Sequence, residues 1–209
     1  METATLITTF AALFIVLDPF ALVPLFLAMT RGMPAQRRRT IALHSCLTAA
    51  LLLCLFGAFG EAVLGFIGIS MPAFRIAGGV LLFLTALDML FERRTKRREG
   101  QVDADDHEDP SIFPLAIPLI AGPGAIATVI LLTGENEGYL GLAWVLGVML
   151  FVMCLVYVSF LGAGMLERAL GKTGISVVTR VLGMLLAALA VQFVLDGLRD
   201  TIMVGWSGA

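Results

Sequence analysis

SIFPLAIPLIAGPGAIATVILLTG, residues 111–134, runs for 24 positions without an aspartate, glutamate, lysine or arginine. A helix needs roughly 20 apolar residues to cross the ~30 Å hydrocarbon core of a bilayer, so this stretch is long enough to span. It cannot do so as a smooth helix. Ala121-Gly122-Pro123-Gly124-Ala125 sets two glycines around a proline. Proline removes a backbone donor and clashes with the turn before it, and the glycines weaken the helix on both sides. The expected result is a membrane segment whose backbone opens at Gly122 and restarts as a half-helix at Pro123. At such a start the N–H groups of Gly124, Ala125 and Ile126 carry positive partial charge and suit a carboxylate. The alternative is a proline kink whose small residues serve close packing.

A second charge-free run follows, from Gly138 to Leu166. The whole chain shares this character: 59% of residues are hydrophobic and 14% charged, where a soluble domain carries roughly 25% charged residues. Mean hydropathy is +0.96. Six apolar segments stand out, at 4–29, 40–68, 71–91, 112–133, 139–165 and 175–198, and the second and third are separated only by Ile69-Ser70. The fold class is therefore all-α, a polytopic membrane protein of six transmembrane helices whose partner is the lipid bilayer. The first segment lacks a basic leader and is too long for a signal-peptide core, so it reads as a retained helix. Cys46, Cys54 and Cys154 lie inside apolar runs without CxxC spacing and read as small apolar residues.

Basic residues orient the segments. Arg31, Arg37, Arg38 and Arg39 occupy the first connection, Arg93, Arg94, Lys96, Arg97 and Arg98 the third, and Arg168 and Lys172 the fifth; connections two and four have none. Eleven of the fourteen lysines and arginines thus fall on one side, which the positive-inside rule makes cytoplasmic. Both termini of this multi-pass protein are then expected to face outward. The third connection turns from basic (ERRTKRRE) to acidic (DADDHED) and reads as a solvated cytoplasmic linker, whose basic half suits anionic headgroups. His107 is a lone histidine among the acids of that linker, where a metal role is not expected. His44, at the cytoplasmic end of the second segment, reads as an interfacial residue, with a proton relay as the alternative.

The chain also repeats itself. Leu17-Asp18-Pro19 faces Ala121-Gly122-Pro123 at an offset of 104, and Arg75-Ile76-Ala77-Gly78 faces Arg180-Val181-Leu182-Gly183 at an offset of 105. Each half is a helix with a proline-centred break, a long helix, then a helix opening with Arg-x-x-Gly. With three helices per half, the second half enters the membrane from the opposite side. The organisation is a 3+3 inverted repeat with broken helices 1 and 4: residues 1–91, a linker at 92–110, and residues 111–209. This architecture belongs to secondary transporters.

Polar residues at membrane depth mark candidate sites. Asp18 stands mid-segment before Pro19, and a charged aspartate at a helix centre costs about 2.5–3.5 kcal/mol on insertion scales. Two roles fit it: a binding site, or a cap on the half-helix that Pro19 begins. Arg75 and Arg180, beside Gly78-Gly79 and Gly183, point to inward-facing side chains that pair with an acid or a loop carbonyl; snorkelling to headgroups is the alternative. Glu61, Asp88 and Asp196 lie near segment ends and read as interfacial, and Gln192 as a hydrogen-bonding group between helices. There is no HExxH, GxSxG or GxxxxGK[ST] motif and no basic patch interleaved with aromatics. An enzyme, an ATP-driven pump, a cofactor, a metal centre and a nucleic-acid partner are not expected.

LDPFALVPLF (17–26), FRIAGGVLLFLTALDML (74–90), FPLAIPLIAGPGAIAT (113–128) and TRVLGMLLAALAVQFVLDG (179–197) together resemble the MarC (UPF0056-type) family of bacterial and archaeal inner-membrane proteins. The resemblance runs in order along nearly the whole chain. It implies six transmembrane helices, within a broader group of amino-acid exporters sharing 3+3 repeats, and some members are regarded as neutral amino-acid transporters. Relatives often carry glycine two positions after the first proline; here that position is Ala21.

The functional expectation is a secondary transporter moving a small neutral solute, an amino acid first, across the inner membrane. Its substrate- and ion-binding set is Asp18, Pro19, Gly122, Pro123, Gly124, Ala125, Arg75 and Arg180. Asp18 would take the coupling cation, a proton or sodium ion, or the substrate amine; the half-helix at Pro123 would take the carboxylate. The rival readings are a non-transporting membrane scaffold or assembly factor, indifferent to Asp18, and a lipid-headgroup translocase, in which the arginines matter more.

Overall fold

A computed structural model of the chain describes residues 3–91, 110–136 and 138–207. The charged linker expected at 92–110 lies outside the described residues except for Pro110. Among the described residues the regular structure is entirely helical: α1 (Thr3–Leu17), α2 (Pro19–Met29), α3 (Ala35–Ile67), α4 (Met71–Leu90), α5 (Ser111–Ile120), α6 (Pro123–Glu135), α7 (Gly138–Leu161) and α8 (Ala163–Ser207). Among the described residues five helical stretches are long and apolar enough to cross a bilayer, and the bent pair α5–α6 makes up to six.

The connections follow from local chemistry. Only Asp18 separates α1 from α2, and Pro19 takes the first helical position, where its missing N–H is no loss. α3 begins at Ala35, ahead of the expected Thr40. Arginine is a good helix former, so the helix continues through Arg37–Arg39 past the apolar run. With 33 residues at about 1.5 Å each, α3 is about 50 Å long, well beyond the ~30 Å of hydrocarbon. It stops at Gly68, whose φ of 84° lets its N–H reach back to the last turn while Ile69 N bonds Leu64 O at 2.9 Å, a left-handed helix stop. Ser70 then caps α4 through Ala73 N, with Pro72 in the first turn. The tight Ile69-Ser70 reversal read from the sequence is therefore present.

Segment four is more broken than expected. Besides the opening at Gly122, Phe113 (φ −122°, ψ 127°) and Ile117 (φ −129°, ψ 124°) are extended inside α5. Each precedes a proline, which drives its neighbour out of helical dihedrals. α5 and α6 meet at 57°. The last helix breaks at Gly171 (φ 62°, ψ 174°), leaving Thr173–Ile202 as its spanning part.

α1, α2 and α6 form the buried centre, and α3, α4, α7 and α8 surround them. The outer helices bury one face each. On the other they expose large apolar side chains such as Leu51, Phe59, Leu84, Phe151, Val158 and Leu195. Distributed over four helices, this apolar coat fits lipid rather than water. Small residues set the closest approaches. A Cβ on Gly57 would sit 2.8 Å from Val129 Cγ1, and one on Gly60 2.5 Å from Ile130 Cγ1, so α3 lies tight on α6. α4 and α8 pack antiparallel: Gly79 lies against Ala190 and Val194, and Gly183 against Ala86 and Met89. Under the 105-residue offset these two contacts nearly exchange, which is consistent with an inverted repeat.

Candidate functional site

The first break is built around one carboxylate. Asp18 takes a left-handed conformation (φ 44°, ψ 71°) and is wholly buried. Among non-glycine residues, aspartate and asparagine enter this region most readily. The helix behind it closes through Asp18 N to Phe14 O (3.0 Å), and the helix ahead opens through Leu22 N to Asp18 O (3.3 Å). Oδ1 accepts a hydrogen bond from Ala21 N at 3.2 Å. Asp18 is thus the N-cap of α2, with Pro19 buried beside it. The Ala21 methyl is accommodated: the residue is buried and its N–H is the capping donor.

The second break has no side-chain cap. Gly122 (φ −80°, ψ 169°) occupies the capping position of α6, and Pro123 the first helical one. Pro19 and Pro123, matched in sequence, therefore stand at equivalent places in two half-helices. A Cβ on Gly122 would lie 2.8 Å from the Pro118 carbonyl oxygen, so the fold demands glycine there. Two expectations need correction. Ile126 N is not an available donor, because it bonds Gly122 O at 3.0 Å as the first helical bond of α6. Pro123 does not line a buried site; it is exposed at the outside of the corner, and Gly124 and Ala125 are the buried residues. Their two N–H groups precede that first helical bond and have no side-chain cap.

The breaks lie close together. A Cβ on Gly124 would be 3.3 Å from Thr85 Oγ1, 3.4 Å from Leu82 Cδ2 and 3.9 Å from Val16 Cγ1, two residues ahead of Asp18. The start of α6 thus rests on the end of α1, beside the cap of α2, with α4 closing the third side.

The arginines are not part of this centre. The Arg75 guanidinium pairs with Glu135 Oε1 at 3.2 Å and with Asp200 Oδ2. Glu135 ends α6, twelve residues from Pro123 and so about 18 Å along the helix. Arg75 therefore clasps the last turns of α6 and α8, as expected of an arginine paired with acids, but at the far end of the bundle from the breaks. Arg180 is exposed on α8, against the inward placement expected of it. Thr179 and Gly183 take the buried positions of that turn, which turns Arg180 outward. The repeat places the two arginines equivalently in sequence and differently in environment. Gln192 also differs from expectation: Nε2 donates to Asp196 Oδ1 within the same helix at 2.9 Å.

Opposite the Arg75 clasp the bundle is open. A cavity of about 870 Å³ lies where the end of α2, the start of α3 and the α7–α8 corner meet. Phe26 and Phe160, both lining it, stack on each other with ring centroids 4.4 Å apart. Phe26 is eight residues beyond Asp18, about 12 Å along α2. Neither this aromatic pair nor the partners of Arg75 could be read from the sequence, since each joins residues far apart in the chain.

The profile of the MarC family of integral membrane proteins matches residues 3–202. The chain is 34% identical over 206 residues to UPF0056 membrane protein MJ1677 of Methanocaldococcus jannaschii, covering 97% of this chain and all of the relative. It is 35% identical over 202 residues to a UPF0056 membrane protein of Aquifex aeolicus (94% and 93% covered). To UPF0056 membrane protein YvbG of Bacillus subtilis the figure is 32% over 203 residues (95% and 96% covered). No solved structure matches the chain. With a profile matched almost from end to end and relatives aligned over nearly their full lengths, the chain belongs to the MarC family of integral membrane proteins.

Proposed function

We propose that this protein is a secondary transporter that carries a small neutral solute, an amino acid as first candidate, across the inner membrane. The observation that carries the reading is the pair of half-helix starts at Pro19 and Pro123, one capped by a wholly buried acid, packed together inside an apolar bundle. A buried carboxylate in hydrocarbon is costly, and broken helices at membrane depth are tolerated where they line a path or are packed in protein. In this reading Asp18 takes the coupling cation, a proton or sodium ion, or the substrate ammonium. The uncapped N–H groups of Gly124 and Ala125 take the carboxylate, and Pro19, Gly122 and Pro123 hold the two breaks in shape.

The asymmetry of the two ends supports the same reading. One end is closed by Arg75, Glu135 and Asp200; the other opens as far as the Phe26–Phe160 stack. A protein closed at one end and open at the other is what alternating access requires of each of its states. With the basic end cytoplasmic and both termini periplasmic, this conformation faces inward.

A second reading is favoured by the Oδ1–Ala21 N bond: Asp18 is a cap only, and the protein a membrane scaffold. Reconstitution into proteoliposomes with labelled amino acids, with and without proton and sodium gradients, separates the two. Gradient-dependent accumulation lost on Asp18→Asn supports transport through this site. Absence of uptake across the panel supports the scaffold.

A further inference from the structure

The open end of the bundle carries chemistry that a path for a neutral solute does not need. Arg38 and Arg39 from the first turns of α3, and Arg168 from the start of α8, all line the same cavity. Among the described residues no carboxylate pairs with any of the three, and no acid lines the cavity. Arg38 is held in place by the Phe26 ring, its guanidinium carbon 5.8 Å from the centroid. The N-terminus of α3 adds to the field. Pro34 supplies no side-chain cap, and the first helical bond runs from Arg38 N to Pro34 O. The N–H groups of Ala35 and Gln36, both lining the cavity, therefore precede it and add the partial positive charge of a helix start. Three arginines and a helix start lining one cavity, with no counter-charge among the described residues, fit a multivalent oxyanion.

The rim identifies the carrier of that anion. Leu161 and Met165 line the cavity and are themselves exposed, so the charged pocket is bordered by apolar surface on the α7–α8 side. A ligand that satisfies both parts has a phosphate head and a hydrocarbon tail. We infer that the cavity formed by Arg38, Arg39, Arg168 and the start of α3 is a binding site for a phosphate group, presented by an anionic phospholipid whose acyl chain lies along Leu161 and Met165. Basic pockets between helices at the cytoplasmic face hold such headgroups in membrane proteins generally.

The test is lipid retention by the purified protein, read by native mass spectrometry after mixing with phosphatidylglycerol or phosphatidylcholine. Parallel thermal-shift titrations use inorganic phosphate and glycerol phosphate. The wild type is expected to retain phosphatidylglycerol in preference to phosphatidylcholine. Each basic residue near an anionic lipid contributes about fivefold, so Arg38→Gln/Arg39→Gln/Arg168→Gln together should weaken that preference roughly a hundredfold. Arg168→Gln alone should weaken it about fivefold, which keeps the test decisive if the triple variant does not fold. Arg199→Gln, whose site is outside the cavity, should leave it unchanged. Stabilisation by free phosphate with no lipid preference would keep the anion site and overturn its lipid occupant. Equal retention of phosphatidylglycerol by wild type, triple variant and Arg168→Gln would overturn the inference.

Discussion

Replacing Asp18 by asparagine, glycine and alanine separates what the side chain does from what the backbone needs. The residue fills two structural roles at once: Oδ1 caps α2 through Ala21 N, and the backbone sits at φ 44°. Asparagine keeps both, since it caps as well as aspartate and tolerates the left-handed region, so its stability should lie within about 0.5 kcal/mol of wild type. Glycine loses the cap and keeps the backbone. Capping substitutions to glycine cost a few tenths of a kcal/mol, and the freer unfolded chain adds about 0.4–1, for a loss of about 1 kcal/mol. Alanine loses both: about 1 kcal/mol for the cap and about 1–2 for a Cβ held left-handed, or about 2–3 kcal/mol together. All three remove the same buried carboxylate, so relief of its desolvation shifts them equally and leaves the order intact. Unfolding by SDS in mixed micelles, followed by circular dichroism, gives the ranking. Alanine as stable as asparagine, or glycine less stable than alanine, would refute the double role.

The small-residue contacts predict opposite outcomes for like substitutions. Gly79→Ala brings a Cβ to 2.7 Å from the Ala190 carbonyl oxygen and should destabilise by about 1–3 kcal/mol. Gly65→Ala meets nothing within 4 Å and should be neutral or stabilising by up to about 1 kcal/mol; the same unfolding assay reads both. Arg75→Gln should loosen the closed end. In a background lacking Cys46, Cys54 and Cys154, a Thr85→Cys probe about 15 Å deeper along α4 should then react faster with a thiol reagent added from that side; an unchanged rate would show that the ion pairs do not close it. For orientation, Arg31→Cys should be labelled by an impermeant reagent only from the cytoplasm and Ile69→Cys only from outside. The reverse pattern would invert the topology.

What the sequence made legible follows from which features are local. The breaks at Pro19 and Pro123 were readable because proline acts on its own turn. So was the tight reversal at Ile69-Ser70. Pro114 and Pro118 act by the same rule, and the extended residues before them could have been read; the apolar run of segment four masked them. Features that depend on distant partners were hidden. Arg75 meets Glu135 and Asp200 only after α4, α6 and α8 are assembled, and nothing near Arg75 in the chain announces an acid. Arg75 and Arg180 stand alike in the sequence repeat, but side-chain environment follows each helix's own packed face. Gln192 found its partner one turn away in its own helix, where a local pair forms before a neighbouring helix is reached. The basic cavity was visible only as loop charges, because Arg38 and Arg39 come from the first connection and Arg168 from the fifth.

The central claim is that the broken helices form a coupled transport site around Asp18, and gradient-driven uptake in proteoliposomes tests it directly. Wild type and Asp18→Asn, with matched stability and insertion, are compared for accumulation of neutral amino acids under an imposed proton or sodium gradient. The account predicts accumulation by the wild type that collapses when the gradient is dissipated, and none by Asp18→Asn. Coupled accumulation by Asp18→Asn at the wild-type level would contradict it and leave Asp18 as the cap of α2 alone.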